Sequence, residues 1–193
     1  MRLRPITART RGFSLVEVMV ALIVISVGML GIAKMQALAL SSTGAARLRS
    51  LAALQAASLA SAMHANRVYW ASGSLTSVVN VSGAAVTTAD ATLSAALAAN
   101  KDCTSTSSGA AVACPYSTAA PAAMAAYDLR QWASVGLQPL LPNPTASVLC
   151  TTVVPLSCTI TITWSENVVS VNAQEAANGT ALQKPSYNLY VEP

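Results

Sequence analysis

The sequence predicts an α+β protein, a long N-terminal hydrophobic helix packed on a small antiparallel β-sheet head. Three observations carry this. Residues 13–33, FSLVEVMVALIVISVGMLGIA, form a run of 21 residues whose only charge is Glu17. No proline falls between Pro5 and Pro115, and apolar residues recur at largely helical spacing through Met35, Leu38, Leu48, Leu51, Leu59 and Met63. Further on, Thr159 to Trp164 alternates strictly, with Ile160, Ile162 and Trp164 on one face.

The apolar run comes first. About 20 apolar residues match the hydrocarbon thickness of a bilayer. Arg2, Arg4, Arg9 and Arg11 precede the run and no cation follows until Lys34. That asymmetry keeps the short N-terminal stretch cytoplasmic and sends the rest of the chain across. Of 11 Lys and Arg residues, the four before Gly12 leave seven to balance seven Asp and Glu, so the net charge of +4 is all N-terminal. The remainder has no basic patch, which argues against nucleic-acid binding. Only 9% of residues are charged, against about 25% in ordinary soluble domains, so the chain sits partly in lipid or is covered by neighbours. Glu17 inside the run costs roughly 2.5–3.5 kcal/mol on insertion scales and is a candidate functional residue needing a cation at its own depth.

An ordinary secretory signal has a shorter apolar stretch and a cleavage site after it. Here the small residue, Gly12, stands before the stretch, between Arg11 and Phe13. The residues Arg-Gly-Phe-Ser-Leu-Val-Glu, Arg11 to Glu17, resemble the class III signal of type IV prepilins and pseudopilins. The resemblance implies that a prepilin peptidase cuts between Gly12 and Phe13 and methylates the new amine of Phe13. It also implies that Glu17 neutralises the N-terminal amine of a neighbouring subunit during assembly. The organisation that follows is a cleaved leader at 1–12, a transmembrane and fibre-core helix at 13–33, its amphipathic continuation at 34–67 and a globular head at 68–193. The fold implied is the pilin ladle.

A helix from Phe13 to about Arg67 would be roughly 80 Å long at 1.5 Å per residue. Gly28 and Gly31 each cost about 1 kcal/mol inside a helix. They serve either local unwinding in a fibre, as in pilin helices, or close helix packing. His64, near the helix end, is the only His, so neither a Cys/His zinc site nor a catalytic role is expected of it.

Residues 68–126 are rich in Ala, Ser and Thr. Val78–Val81 and Ala84–Thr87 suggest a short hairpin around Ser82 and Gly83, and Asp90 to Asn100 a short helix with Asp90 at its start. From Tyr127 to Pro142, Leu129, Trp132, Ala133, Leu137 and Leu140 share a helical face, with Asp128 as the expected cap. Tyr187 to Val191 reads as the last strand.

Cys103, Cys114, Cys150 and Cys158 are even in number and fit an oxidising compartment; three connectivities are possible. Cys150 and Cys158 are symmetric about Val154, so an antiparallel hairpin centred there places them opposite each other. Cross-strand Cβ separations of about 4.5–5.5 Å then need little closing. This pairs Cys150 with Cys158 and leaves Cys103 with Cys114, closing the loop between them.

The stretch from Asp128-Leu129 through Trp132 to Leu141-Pro142 resembles minor pilins of the PilV kind. That implies a low-copy subunit near the tip of a type IV pilus that promotes assembly initiation. The implied partners are other minor pilins and the major pilin, a tip adhesin, the inner-membrane assembly platform, and lipid before assembly. The implied location is the bacterial inner membrane with the head in the periplasm, then the fibre at the cell surface. A minor pseudopilin of type II secretion is the alternative; a DNA-uptake pilin and a signal-anchored binding protein fit less well. No Gly-rich phosphate loop, H-E-x-x-H, G-x-S-x-G or paired-carboxylate cluster is present. No enzyme activity, cofactor, metal or small-molecule substrate is therefore expected.

Overall fold

The computed structural model describes residues 12, 14–73, 75–99, 121–167 and 182–193. The chain divides into two compact units, Met1–Thr43 and Gly44–Pro193. Helix α1 spans Leu15–Ala65 and contributes to both.

In the first unit, α1 runs unbroken through Gly28 and Gly31, and a Cβ at either glycine would meet nothing within 4 Å. The Ser41-Ser42-Thr43 stretch, which interrupts the apolar pattern, stays helical. Two of its hydroxyls turn back onto the helix: Ser42 Oγ donates to the Ala39 carbonyl at 3.0 Å and Thr43 Oγ1 to the same carbonyl at 3.0 Å.

In the second unit, α1 buries Ala52, Ala56, Leu59 and Met63, spaced by four, three and four residues along one face. The helix stops at Asn66, whose backbone leaves the helical region at φ −115°, ψ 51° and whose side-chain amide donates to the Pro121 carbonyl at 2.8 Å. A short helix α2, Arg67–Trp70, follows.

Strands β1, Val79–Ser82, and β2, Ala85–Thr88, pair antiparallel across Gly83 and Ala84. Both lie one residue later than the sequence suggests. Gly83 takes a φ of +57°, as the first central residue of a two-residue hairpin loop requires, so Ser82 and Ala85 close the ladder. Val79 and Val81 consequently face the core, while Val78 is exposed. Helix α3, Ala91–Ala99, begins as expected, with the Asp90 carboxylate accepting the Leu93 N–H at 2.8 Å.

Helix α4 spans Pro121–Gln131 and passes into a π-helical turn, Trp132–Leu137. This corrects the expectation for Asp128. Pro121 occupies the first helical position, where its missing N–H costs nothing, so Asp128 is mid-helix and caps no helix start. Leu129, Trp132, Ala133 and Leu137 are buried as a face, but Leu140 is 40% exposed and Leu141 takes the buried place. The wider π turn shifts the phase by which a 3.6-residue repeat predicts inward positions.

Strands β3, Thr145–Cys150, β4, Cys158–Thr163, and β7, Ser186–Val191, complete a five-stranded antiparallel sheet ordered β2-β1-β3-β4-β7. The short strands β5, Glu166–Asn167, and β6, Leu182–Gln183, pair separately. Their Glu166↔Gln183 pairing keeps the step of Thr163↔Ser186, so β4–β5 and β6–β7 are one hairpin interrupted in the middle. Val79, Val81, Ala146, Val148, Cys158, Ile160, Ile162 and Val191 point from the sheet into a core shared with the helices. The opposite face carries Asn80, Ser147, Thr161 and Asn188 in one cross-strand row. Period-2 alternation thus assigns one face to the helices and one to the outside.

Candidate functional site

The candidate site begins where α1 begins. Ser14 is the last non-helical residue, and its carbonyl accepts the N–H of Glu17 at 3.0 Å and of Val18 at 3.3 Å. Glu17 therefore stands in the first helical turn, where a carboxylate is favoured by the positive end of the helix dipole, by about 0.3–1 kcal/mol at an exposed site. Ser14 and Glu17 have the S-x-x-E spacing of a capping box. That spacing is legible in the sequence and singles out Ser14 beside Glu17.

Glu17 is exposed and makes no ion pair among the described residues. Gly12 is exposed with nothing within 4 Å of a would-be Cβ. Phe13 lies outside the described residues, and so do Cys103 and Cys114.

From Glu17 to Ala37 every residue of the helix is exposed among the described residues. It is long and apolar enough to cross a membrane, and none of its most apolar stretch is buried. Leu15, Val24, Met29 and Leu30 are each about two-thirds exposed or more, at 75%, 65%, 66% and 72%. Burying one such side chain is worth about 1.5–3 kcal/mol, so the run as a whole strongly favours lipid or protein neighbours over water. The hydroxyl of Ser26, in the middle of the run, donates to the Ile23 carbonyl at 2.8 Å. That internal bond removes the penalty an unpaired hydroxyl would meet in hydrocarbon.

In the second unit, Cys150 and Cys158 are bonded. They face each other in the β3–β4 register with a Cα–Cα distance of 4.0 Å, as the symmetry about Val154 predicts. An open cleft of about 480 Å³ at one end of the sheet is lined by Ser82, Gln138, Asn143, Thr163 and Lys184, among others. These are hydroxyls, amides and one cation, with no acid–base pair suited to general catalysis. Among the described residues no three His, Cys, Asp or Glu side chains come together to hold a metal.

The prokaryotic N-terminal methylation motif matches residues 7–33. The motif supports a type IV pilin-like or pseudopilin protein. It spans the candidate cleavage point, Glu17 and the exposed apolar run together, and it implies processing by a prepilin peptidase and assembly into pilus-like fibres. The class III signal and the apolar helix fit a membrane-anchored pilin, and the motif points to a structural, non-enzymatic subunit. No curated protein and no solved structure matches the chain.

Proposed function

We propose that this chain is a minor pilin of the type IV pilus, placed at or near the tip and promoting assembly initiation. The observation that carries the reading is the methylation motif laid over a helix whose apolar run is uncovered and whose one carboxylate is unpaired among the described residues. In this reading prepilin peptidase cuts after Gly12 and the Phe13 amine becomes methylated and positive. Glu17, one turn further on, is an uncompensated charge in the inner membrane. Movement into the fibre lets the carboxylate meet the amine of a neighbour, which offsets the cost of burying both.

The low-copy, tip-proximal role rests on the resemblance of the region from Asp128 to Pro142 to minor pilins of the PilV kind. Other minor pilins, the major pilin, a tip adhesin and the inner-membrane platform are its partners in this reading. Deleting the gene and counting surface pili tests it. Fewer pili of ordinary length, restored by the intact gene, is the expected result. Unchanged piliation with loss of an exported protein would assign the chain to a secretion pseudopilus instead.

A further inference from the structure

At one end of the five-stranded sheet, where Thr145 pairs with Thr163, the open cleft of about 480 Å³ is built from separate stretches of the second unit. Ser82 ends β1, Thr145 begins β3, Thr163 ends β4, Gln138 follows the π turn and Lys184 stands between β6 and β7. Three backbone bonds tie these stretches together. The Gly83 N–H donates to the Pro144 carbonyl at 3.1 Å, the Trp164 N–H to the Pro185 carbonyl at 3.2 Å and the Ser165 N–H to the Pro142 carbonyl at 2.9 Å. The main chain therefore fixes the walls without help from the polar side chains on them.

Those side chains are left unpaired. Ser82, Gln138, Asn143, Thr145, Thr163 and Lys184 make no side-chain hydrogen bond among the described residues. The other end of the β3–β4 hairpin differs: there Thr151 Oγ1 accepts the Ser157 N–H at 2.9 Å and lies 3.4 Å from the Ser157 hydroxyl. Trp164 also lines the cleft; it is 1% exposed, and its indole N–H has no acceptor among the described residues. A buried donor without a partner is costly and calls for an acceptor. Asn143 takes φ +47°, the only non-glycine residue with a positive φ among the described residues. Glycine would adopt that backbone more easily, so what asparagine adds there is its carboxamide. Residues held in this region gather at ligand sites.

We propose that the cleft binds a sugar acid, a hydroxylated ring bearing one carboxylate. Lys184 is the one charged side chain lining the cleft and no carboxylate lines it, which favours an anion over a cation. The other polar groups are hydroxyls, which both donate and accept, and carboxamides, which do so through separate atoms. They match a ligand whose own hydroxyls do both and are spread around a ring; an apolar ligand would strand them. The volume lies within the roughly 300–1,000 Å³ of small-ligand clefts, most of which are apolar where this one is not. Lys184 then pairs with the carboxylate, and a ligand oxygen seated against Trp164 supplies the acceptor that its indole lacks. With no acid–base pair at the cleft, the ligand is held and not turned over. Binding of this kind does not depend on the pilin reading.

The test is saturation-transfer NMR of the full chain at low salt, in a polyoxyethylene detergent whose headgroup carries no sugar. The probes are D-galacturonate and D-glucuronate, their neutral parents D-galactose and D-glucose, and acetate. At least one of the two acids is expected to bind, its neutral parent roughly tenfold more weakly because a hydrogen bond to a charged group is missing, and acetate not detectably. Lys184→Gln brings that acid down to the level of its parent and leaves the parent unchanged. Asn143→Gly keeps the backbone conformation and removes only the carboxamide, so acid and parent both bind severalfold more weakly while the far-UV spectrum stays unchanged. No saturation transfer to either acid overturns the proposal. So does binding of the acid that survives Lys184→Gln, which places it elsewhere on the chain, or its displacement by equimolar acetate, which reduces the site to an ion pair on one lysine.

Discussion

The indole Nε1–H of Trp132 donates to the backbone carbonyl of Gln55 over 2.8 Å, linking residues 77 positions apart. The bond fixes the π-helical turn against the part of α1 that lies in the second unit. The Gln55 carbonyl also accepts the Ser58 hydroxyl at 2.9 Å, so removing the indole does not strand it. Trp132→Phe is expected to cost about 1 kcal/mol, the net worth of one hydrogen bond. Trp132→Ala also empties a buried site and is expected to cost about 3–5 kcal/mol. Urea unfolding followed by near-UV circular dichroism checks both; no loss in Trp132→Phe would mean that packing alone holds the turn, and equal losses would mean that the bond alone does.

Closing the loop between Cys150 and Cys158 is expected to contribute roughly 2–3 kcal/mol by the chain-entropy argument. Cys150→Ser with Cys158→Ser should lower the unfolding midpoint accordingly while the sheet still forms. Non-reducing peptide mapping checks the pairing directly. Recovery of Cys150 joined to Cys103 or Cys114 would contradict the β3–β4 register.

Tyr69 is 4% exposed, packs edge-on to Trp70 at 5.2 Å, and its hydroxyl has no hydrogen-bond partner among the described residues. Burial, with a smaller push from the Asp90 carboxylate, raises its pKa well above the usual phenol value of 10.0. The folded state therefore holds the proton that the unfolded chain releases. Stability from this group is intact below about pH 10 and falls as pH rises further toward the folded pKa. Tyr69→Phe is expected to be neutral or stabilising at pH 7, since it deletes an unpaired buried hydroxyl. It should also reduce the alkaline decline. Thermal midpoints of both proteins between pH 7 and 11 test this, and parallel curves would refute it.

The sheet and the start of the candidate site were legible because short-range patterns dictate them. Alternation in Thr159–Thr163 placed Ile160 and Ile162 inward, and Tyr187, Leu189 and Val191 share a face as their spacing suggests. Asp90 sits before α3 because a carboxylate there satisfies a free helix N–H. The beginning of α4 was not legible. Pro121 stands in an Ala- and Ser-rich stretch where apolar periodicity gives no phase, and the later Asp128 offered a more conspicuous cap. The π turn and the stop at Asn66 depend on long-range bonds, Trp132 to Gln55 and Asn66 to Pro121, that no local window contains. Glu17 was conspicuous because an acid in an apolar run is costly. Ser14 was not, because a serine there costs little.

Glu17→Ala is expected to leave processing, membrane insertion and the fold of the second unit intact while blocking entry into fibres. The variant is more apolar and inserts at least as readily. A neighbour's Phe13 amine would then enter the fibre unpaired, and losing one partner of a buried pair costs about 3–5 kcal/mol. Comparing membrane and sheared-fibre fractions in a strain lacking the native copy checks this. Wild-type levels of the variant in sheared fibres would remove Glu17 from the mechanism.

The central claim is that the chain is processed as a prepilin. The most direct measurement is the intact mass and N-terminal sequence of the protein extracted from membranes. A chain beginning at Phe13 with a methylated amine is the predicted result. An intact Met1, or a start after Ala33, would contradict it.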